Sequence, residues 1–362
     1  MEPLLERARR ELCRLVSIPS PTGREQALLV YLEARLESLG LRPFRQPVVE
    51  DRANLIWKGA ERPKLLLTAH ADTVSLEDPP ELSRPRVEAG CVWGRGSADV
   101  KAGIAAILLA LEETPEVREL PVAVAFTVDE EREGLGSKVL PEAVRPEAAV
   151  VLEPTELRIC PVEAGSLEVR IELAGVPAHG GEFEAGQNAI LRAAQLLAAF
   201  QTMAFVRAEH PLVGRGGFNV MEIRGGRPAL LVPDRCTLHV DFRVLPGQDM
   251  EAVKQEVLRV VEAHGGAAEI LDESQPFALP EDAPVVTLLR EAYGQALGQP
   301  ARLGAIRSWT DAENLVSVGI PAVVFGPGRL AVAHTAFEHV ALQQVADAAR
   351  VLKSLIRIVG RP

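Results

Sequence analysis

His70, Asp72, Asp99, Glu130, Glu131, Glu153 and His334 are the residues with which this chain could do chemistry. They are imidazoles and carboxylates, the nitrogen and oxygen donors that zinc and related divalent metals accept. Their positions say more than their types. The apolar run Leu65–Ala69 ends in His70-Ala-Asp72, and Val122–Val128 ends in Asp129-Glu130-Glu131. Ala148–Leu152 ends in Glu153-Pro154, and Ala322–Phe325 leads through Gly326-Pro-Gly to His334. Each run reads as a short buried strand, and open α/β sheets form their sites beyond the carboxyl ends of the strands. His70 and Asp72, two apart, project to the same side of an extended chain. Alone, each piece has a plainer reading: a hydrogen-bonded loop pair, a solvated acidic turn, a surface histidine, or in Asp99 a cap for the helix after it. Together they deliver carboxylates and imidazoles to one sheet edge, which is what a metal site requires.

The elements that must position these groups follow from the pattern around them. Residues 3–17 and 24–39 read as helices, and a third starts near Val100 and runs to Leu111. Their alternation with the strands predicts a mostly parallel sheet covered by helices, an α/β fold. The middle of the chain differs. Leu167–Leu173, Val220–Ile223 and Cys236–Val244 alternate apolar and polar residues, and helices are expected over Asn188–Phe200 and Met250–His264. This order suits a small α+β (ferredoxin-like) layer. Val285–Leu297 and Ala341–Val359 read as closing helices. The expected organisation is a catalytic domain in two segments, 1–163 and 278–362, with an insert at 164–277.

Composition bounds the partners. The chain has 362 residues, 47% hydrophobic and 25% charged, with a net charge of -11. Nucleic acid and anionic membranes reward basic surfaces, so neither is expected as a partner. The N-terminal stretch MEPLLERARRELCRLV reads as an amphipathic helix, lacking the apolar core and cleavage site of a signal peptide. No run is long enough to span a bilayer. Cys13, Cys91, Cys160 and Cys236 are widely spaced and form no C-x-x-C pair. Buried thiols in a reducing cytoplasm are expected.

The chain also resembles the di-zinc peptidases and deacylases that include acetylornithine deacetylase, succinyl-diaminopimelate desuccinylase, aminoacylase and glutamate carboxypeptidase. The stretches that carry the resemblance are LLLTAHADTV, GRGSADVKAG, FTVDEEREGLGS, VLEPTEL, GVPAHGG, VPDRCTLHVDFRVLPG, WTDAENL and GIPAVVFGPGRLAVAHTAFEHV, in the family's order along nearly the whole chain. The resemblance implies two Zn2+ ions per chain, with Co2+ or Mn2+ as substitutes. His70 and Glu153 would hold one ion, His334 and Glu131 the other, and Asp99 would bridge them. Glu130 would be the general base, and Asp72 would orient His70. His179, in an insert serving as lid and dimerisation layer, would reach the active site of a neighbouring subunit in a homodimer. Arg243 and Asn219 would handle a substrate carboxylate or oxyanion, the loop at Gly326 would lie along the substrate, and Trp309 is a wall residue.

Two departures, Leu231 where relatives commonly carry Asn and Gly180-Gly181 after His179, touch only the substrate-facing insert. The expected function is an amidohydrolase that deacylates an N-acyl amino acid, as acetylornithine deacetylase does. The alternative is a dipeptidase or carboxypeptidase with the same metal centre. A non-catalytic metal-binding protein is a distant third, because such a protein would be expected to have lost Glu130 or a ligand.

Overall fold

Four apolar runs become parallel neighbours in the larger of two compact units. The computed structural model describes residues 2–74, 80–227 and 230–361. One unit comprises Met1–Pro161, Leu279–Gly304 and Thr310–Pro362; the other comprises Val162–Ala278 and Ala305–Trp309.

In the first unit, strand Leu65–His70 pairs in parallel with Val122–Thr127 on one side and Ala148–Val151 on the other. Ala148–Val151 pairs in parallel with Ala322–Val324. Every residue of Leu65–His70 and Val122–Thr127 is buried, as expected of strands covered on both faces. The expectation of a mostly parallel sheet needs correction at the margins. Phe44–Val49 and Arg52–Lys58 form a hairpin that joins Val122–Thr127 antiparallel, and Ile159–Glu163 meets Ala322–Val324 antiparallel through Cys160. The sheet is therefore mixed. The hairpin escaped notice because Pro47 and the polar Arg52-Ala-Asn54 interrupt its apolar pattern, and Glu50 turns it with a φ of 52°.

The covering helices differ in character. Lys101–Glu112 is buried from Lys101 to Leu111, an all-round apolar helix in the middle of the core. Leu342–Val359 is amphipathic and packs against it, against Pro284–Leu297 and against Leu4–Val16. Each fully buried leucine in this assembly contributes about 1.5–3 kcal/mol of hydrophobic burial.

The second unit holds a four-stranded antiparallel sheet in the order Gly217–Gly225, Arg235–Val244, Gly165–Ala174, Gly266–Ser274. Leu167, Val169, Ile171 and Leu173 alternate inward from one strand and meet Ala193, Leu196 and Phe200 of helix Ala189–Phe200 and Val253, Val257 and Val261 of helix Met250–Ala263. Both helices start on a side-chain cap. Asn188 accepts from the N–H groups of Ile190 and Leu191, and Asp249 from those of Glu251 and Ala252. Among the described residues no helix is long and apolar enough to cross a membrane.

Candidate metal centre

His70 closes its strand with its ring buried. Its Nδ1 lies 2.9 Å from the main-chain oxygen of Asp72. A protonated Nδ1 can donate to that carbonyl, and the ring turns Nε2 to the cluster. That Nε2 stands 3.1 Å from Asp99 Oδ1, 3.8 Å from Glu153 Oε1 and 4.0 Å from Glu130 Oε2. The second histidine faces the same aspartate from the other side: His334 Nε2 is 3.4 Å from Asp99 Oδ2 and 3.0 Å from Glu131 Oε2. The two oxygens of Asp99 thus face different imidazoles, the placement a bridging carboxylate needs.

Among the described residues three overlapping groups could hold a metal ion: His70 with Asp99 and Glu153; Asp99 with Glu131 and His334; His70 with Glu130 and Glu131. The first two share only Asp99 and account for both histidines. Together they make a dinuclear metal-binding site. The third shows how near Glu130 stands without adding a new imidazole.

Local backbone geometry explains how adjacent glutamates serve different positions. Strand Val122–Thr127 ends in Val128 and then Asp129, whose φ of 72° turns the chain sharply. The N–H groups of Arg132, Glu133 and Gly134 all donate to the Asp129 carbonyl, closing the turn. The Asp129 carboxylate is gripped by Arg52, which also pairs with Glu25. Asp72 holds the same turn from the other side: its Oδ1 accepts from Glu130 N–H at 3.2 Å and its Oδ2 from Glu131 N–H at 3.1 Å and Thr22 Oγ1 at 2.9 Å. The Asp72 carboxylate lies 3.6 Å from His70 Nδ1, so the main-chain oxygen is the closer acceptor. The carboxylate's hydrogen bonds go to the glutamate turn.

Glu153 follows its strand directly, and the loop starting at Gly326 lies on it. A Cβ on Gly326 would come within 2.6 Å of the Glu153 carbonyl oxygen, so only glycine allows this approach. His334 itself sits at φ 60°, left-handed backbone that non-glycine residues adopt uncommonly.

The electrostatics suit cations. Burial raises the Glu130 carboxyl well above its ordinary range, and Glu153 and Glu131 add repulsion that His70 only partly offsets. Burial likewise pushes up Glu153, with Asp99 adding to it, and Glu131 is raised for the same two reasons. Burial acts on Asp99 in the same sense, but hydrogen bonds from His334 and His70 outweigh it and hold the carboxyl low. Hydrogen bonds to Asp99 and Glu131 push His334 up to about 10. Buried carboxylates repelling one another call for positive charge between them. Glu153 Oε1 is buried with no hydrogen-bond partner, as a donor atom reserved for an ion would be. The N/O donor set fits zinc, cobalt or manganese.

The remaining predicted site residues lie elsewhere. His179, Asn219, Arg243 and Trp309 belong to the second unit. His179 is exposed and accepts from Gly181 N–H through Nδ1 at 3.1 Å. Arg243 donates to Asp241 Oδ2 and, at 3.0 Å, to the carbonyl of Arg307. Asn219 is exposed on the strand beside it and Trp309 is half-buried. Sequence reasoning passed over three buried residues of the first unit. Asp311 accepts from Thr127 Oγ1 at 2.7 Å, and Arg95 pairs with Glu338 at 2.7 Å. Asp311 was in view only as a neighbour of Trp309 in WTDAENL, and no spacing marks Arg95 or Glu338.

The sequence model described as "Peptidase family M20/M25/M40" matches residues 66–358. An acetylornithine deacetylase of Myxococcus xanthus is 30% identical over 380 residues, covering 97% of this chain and 97% of its own. A succinyl-diaminopimelate desuccinylase of Corynebacterium glutamicum is 29% identical over 362 residues, covering 95% and 94%. The crystal structure of a tripeptidase from Staphylococcus aureus superposes with a TM-score of 0.82 at 24% identity, over 99% of each chain.

Proposed function

The chain belongs to peptidase family M20/M25/M40, and from that premise we propose that it is a zinc-type peptidase that hydrolyses small peptides. The coarser statement, a metal-dependent hydrolase of C–N amide bonds, rests on the family and the dinuclear site together. The observation that carries the reading is the pairing of Asp99 with two imidazoles through separate oxygens, beside a buried glutamate that is not needed as a ligand.

In this reading His70 and Glu153 would hold one ion, His334 and Glu131 the other, and Asp99 would be shared between them. When bound, such a pair acidifies the attacking water towards neutral pH and polarises the amide carbonyl. Glu130 accepts the proton of the attacking water and delivers it to the leaving amine, a transfer that suits a carboxyl whose proton affinity burial has raised. Asp72 orients this base by fixing the backbone of Glu130 and Glu131. The second unit is read as lid and dimerisation layer. His179 stabilises the developing oxyanion in a homodimer, and Asn219, Trp309 and the loop at Gly326 contact substrate. Cys160 and Cys236 are buried, as expected, whereas Cys13 and Cys91 are half-buried; four cysteines without a disulfide suit a reducing cytoplasm.

A second reading is deacylation of an N-acyl amino acid, favoured by the two full-length relatives that carry such activities. It was expected to recognise a free carboxylate through a bidentate Arg243. That guanidinium donates to Asp241 and the Arg307 carbonyl, and a peptide carries the same free carboxylate, so this contact does not separate the two readings. A panel of di- and tripeptides and of N-acetyl and N-succinyl amino acids, assayed for released amine with added zinc, cobalt or manganese, separates the two. The expected result is the higher kcat/KM on peptides. A tenfold preference for N-acyl amino acids would replace the peptidase reading with the deacylase one.

A further inference from the structure

We propose that Glu338 is a positioning residue for the bridging ligand, and that it locks the two ligand-bearing segments of the centre into one register. The inference rests on the dinuclear reading of the site. Glu338 is 2% exposed and its partner Arg95 is 7% exposed. Arg95 Nη1 donates to Glu338 Oε2 at 2.7 Å, while Glu338 Oε1 accepts from the backbone N–H groups of Ala98 at 3.0 Å and Asp99 at 3.1 Å. The carboxylate therefore grips the peptide of Asp99 itself, the residue whose two oxygens must each meet a different histidine.

Both partners are placed to connect ligands. Arg95 precedes Asp99 on one segment, and Glu338 follows His334 on the other. Around them the segments are sewn together by backbone. Gly94 N–H donates to the Glu338 carbonyl at 3.1 Å, His339 pairs antiparallel with Trp93, and their rings stack at 4.1 Å. Burying two charges is costly, and a buried ion pair is a poor device for stability alone. Here the carboxylate also satisfies two backbone donors that an apolar replacement would leave orphaned. The arrangement is that of an outer partner that orients an inner ligand, whose removal typically weakens metal binding.

The test is a cobalt(II) titration of the chelator-treated full-length protein, read by calorimetry and by the visible cobalt absorption band. It compares wild type with Glu338→Gln, Glu338→Ala and, as a control for stability alone, Arg7→Ala. Arg7, buried on the N-terminal helix, pairs with the half-buried Glu113 at the end of Lys101–Glu112, so its loss should lower the melting temperature without touching the centre. Wild type should take up about two ions per chain. Glu338→Gln should bind about 10- to 100-fold more weakly, as loss of such outer partners does elsewhere, with an altered cobalt band, while Arg7→Ala keeps wild-type affinities. Glu338→Ala should exceed that loss, and if it does not fold, Glu338→Gln decides. A folded Glu338→Gln that binds two cobalt ions with wild-type affinity and spectrum would overturn the proposal. Wild type binding fewer than two would overturn the dinuclear reading itself, and this inference with it.

Discussion

Glu130 and Glu131 are adjacent in sequence and are proposed for different tasks. Glu131 faces His334, whereas Glu130 approaches only His70, at 4.0 Å. Substituting Glu130 by Gln should therefore leave about two ions bound per chain and cut kcat about 10²- to 10⁴-fold, the usual worth of a positioned acid–base group. Steady-state kinetics with metal analysis on the same preparation checks both halves. The proton balance gives a second prediction. In the protein alone burial raises the Glu153 carboxyl well above the ordinary carboxylate range, and hydrogen bonds to Asp99 and Glu131 push His334 up to about 10, so near neutral pH the His334 imidazole holds a proton. Cations bind only to the deprotonated ligands. Metal uptake should release protons, and affinity should climb as pH rises from about 6 to 9. Calorimetric titrations in buffers of different ionisation enthalpy measure the release; a pH-independent affinity would contradict these shifts.

At the scale of elements, the turn after Val122–Thr127 depends on charges that sit outside the cluster. Arg52, from the antiparallel hairpin, pairs with both Glu25 and Asp129, each 2% exposed at the side chain. Arg52→Ala would strand two buried carboxylates and should destabilise the protein by about 3–5 kcal/mol, read as a lowered urea midpoint. An unchanged midpoint would mean the pair contributes nothing. This hairpin also marks where the sequence ceased to be legible. The four central strands and the His and acidic residues that follow them could be read, because apolar runs ending in His or acid leave a local signature. Helices with clear periodicity followed in the same way: Pro284–Leu297 and Leu342–Val359 start and end within a residue or so of expectation, whereas the short helices Leu135–Ala143 and Asp311–Ser317 were not expected. The edge hairpin could not be read, since Pro47 and Asn54 break its pattern and its pairing is decided by distant partners. Glu338, Arg95 and Asp311 were missed for a related reason. Their significance lies in burial and in partners far away in sequence, and a single acid or arginine carries no spacing to betray that.

For the whole molecule, the first unit is assembled from three chain segments and carries all five expected ligands, while the second is built on its own sheet and core. Ions that bind only the folded first unit should stabilise it, by about 4 kcal/mol at a thousandfold excess over Kd. Chelation should then lower the calorimetric transition of the first unit and leave that of the second in place. Transitions that do not move on chelation would contradict metal binding at this site.

The central claim is that a dinuclear centre on the first unit hydrolyses amide bonds. Its most direct test is zinc back-titration of the chelator-treated protein, with peptide turnover followed at each addition. No turnover is expected without metal, and a rise that completes near two ions per chain. Full turnover in the metal-free protein, or added zinc that binds without restoring any cleavage of peptides or N-acyl amino acids, would contradict that claim.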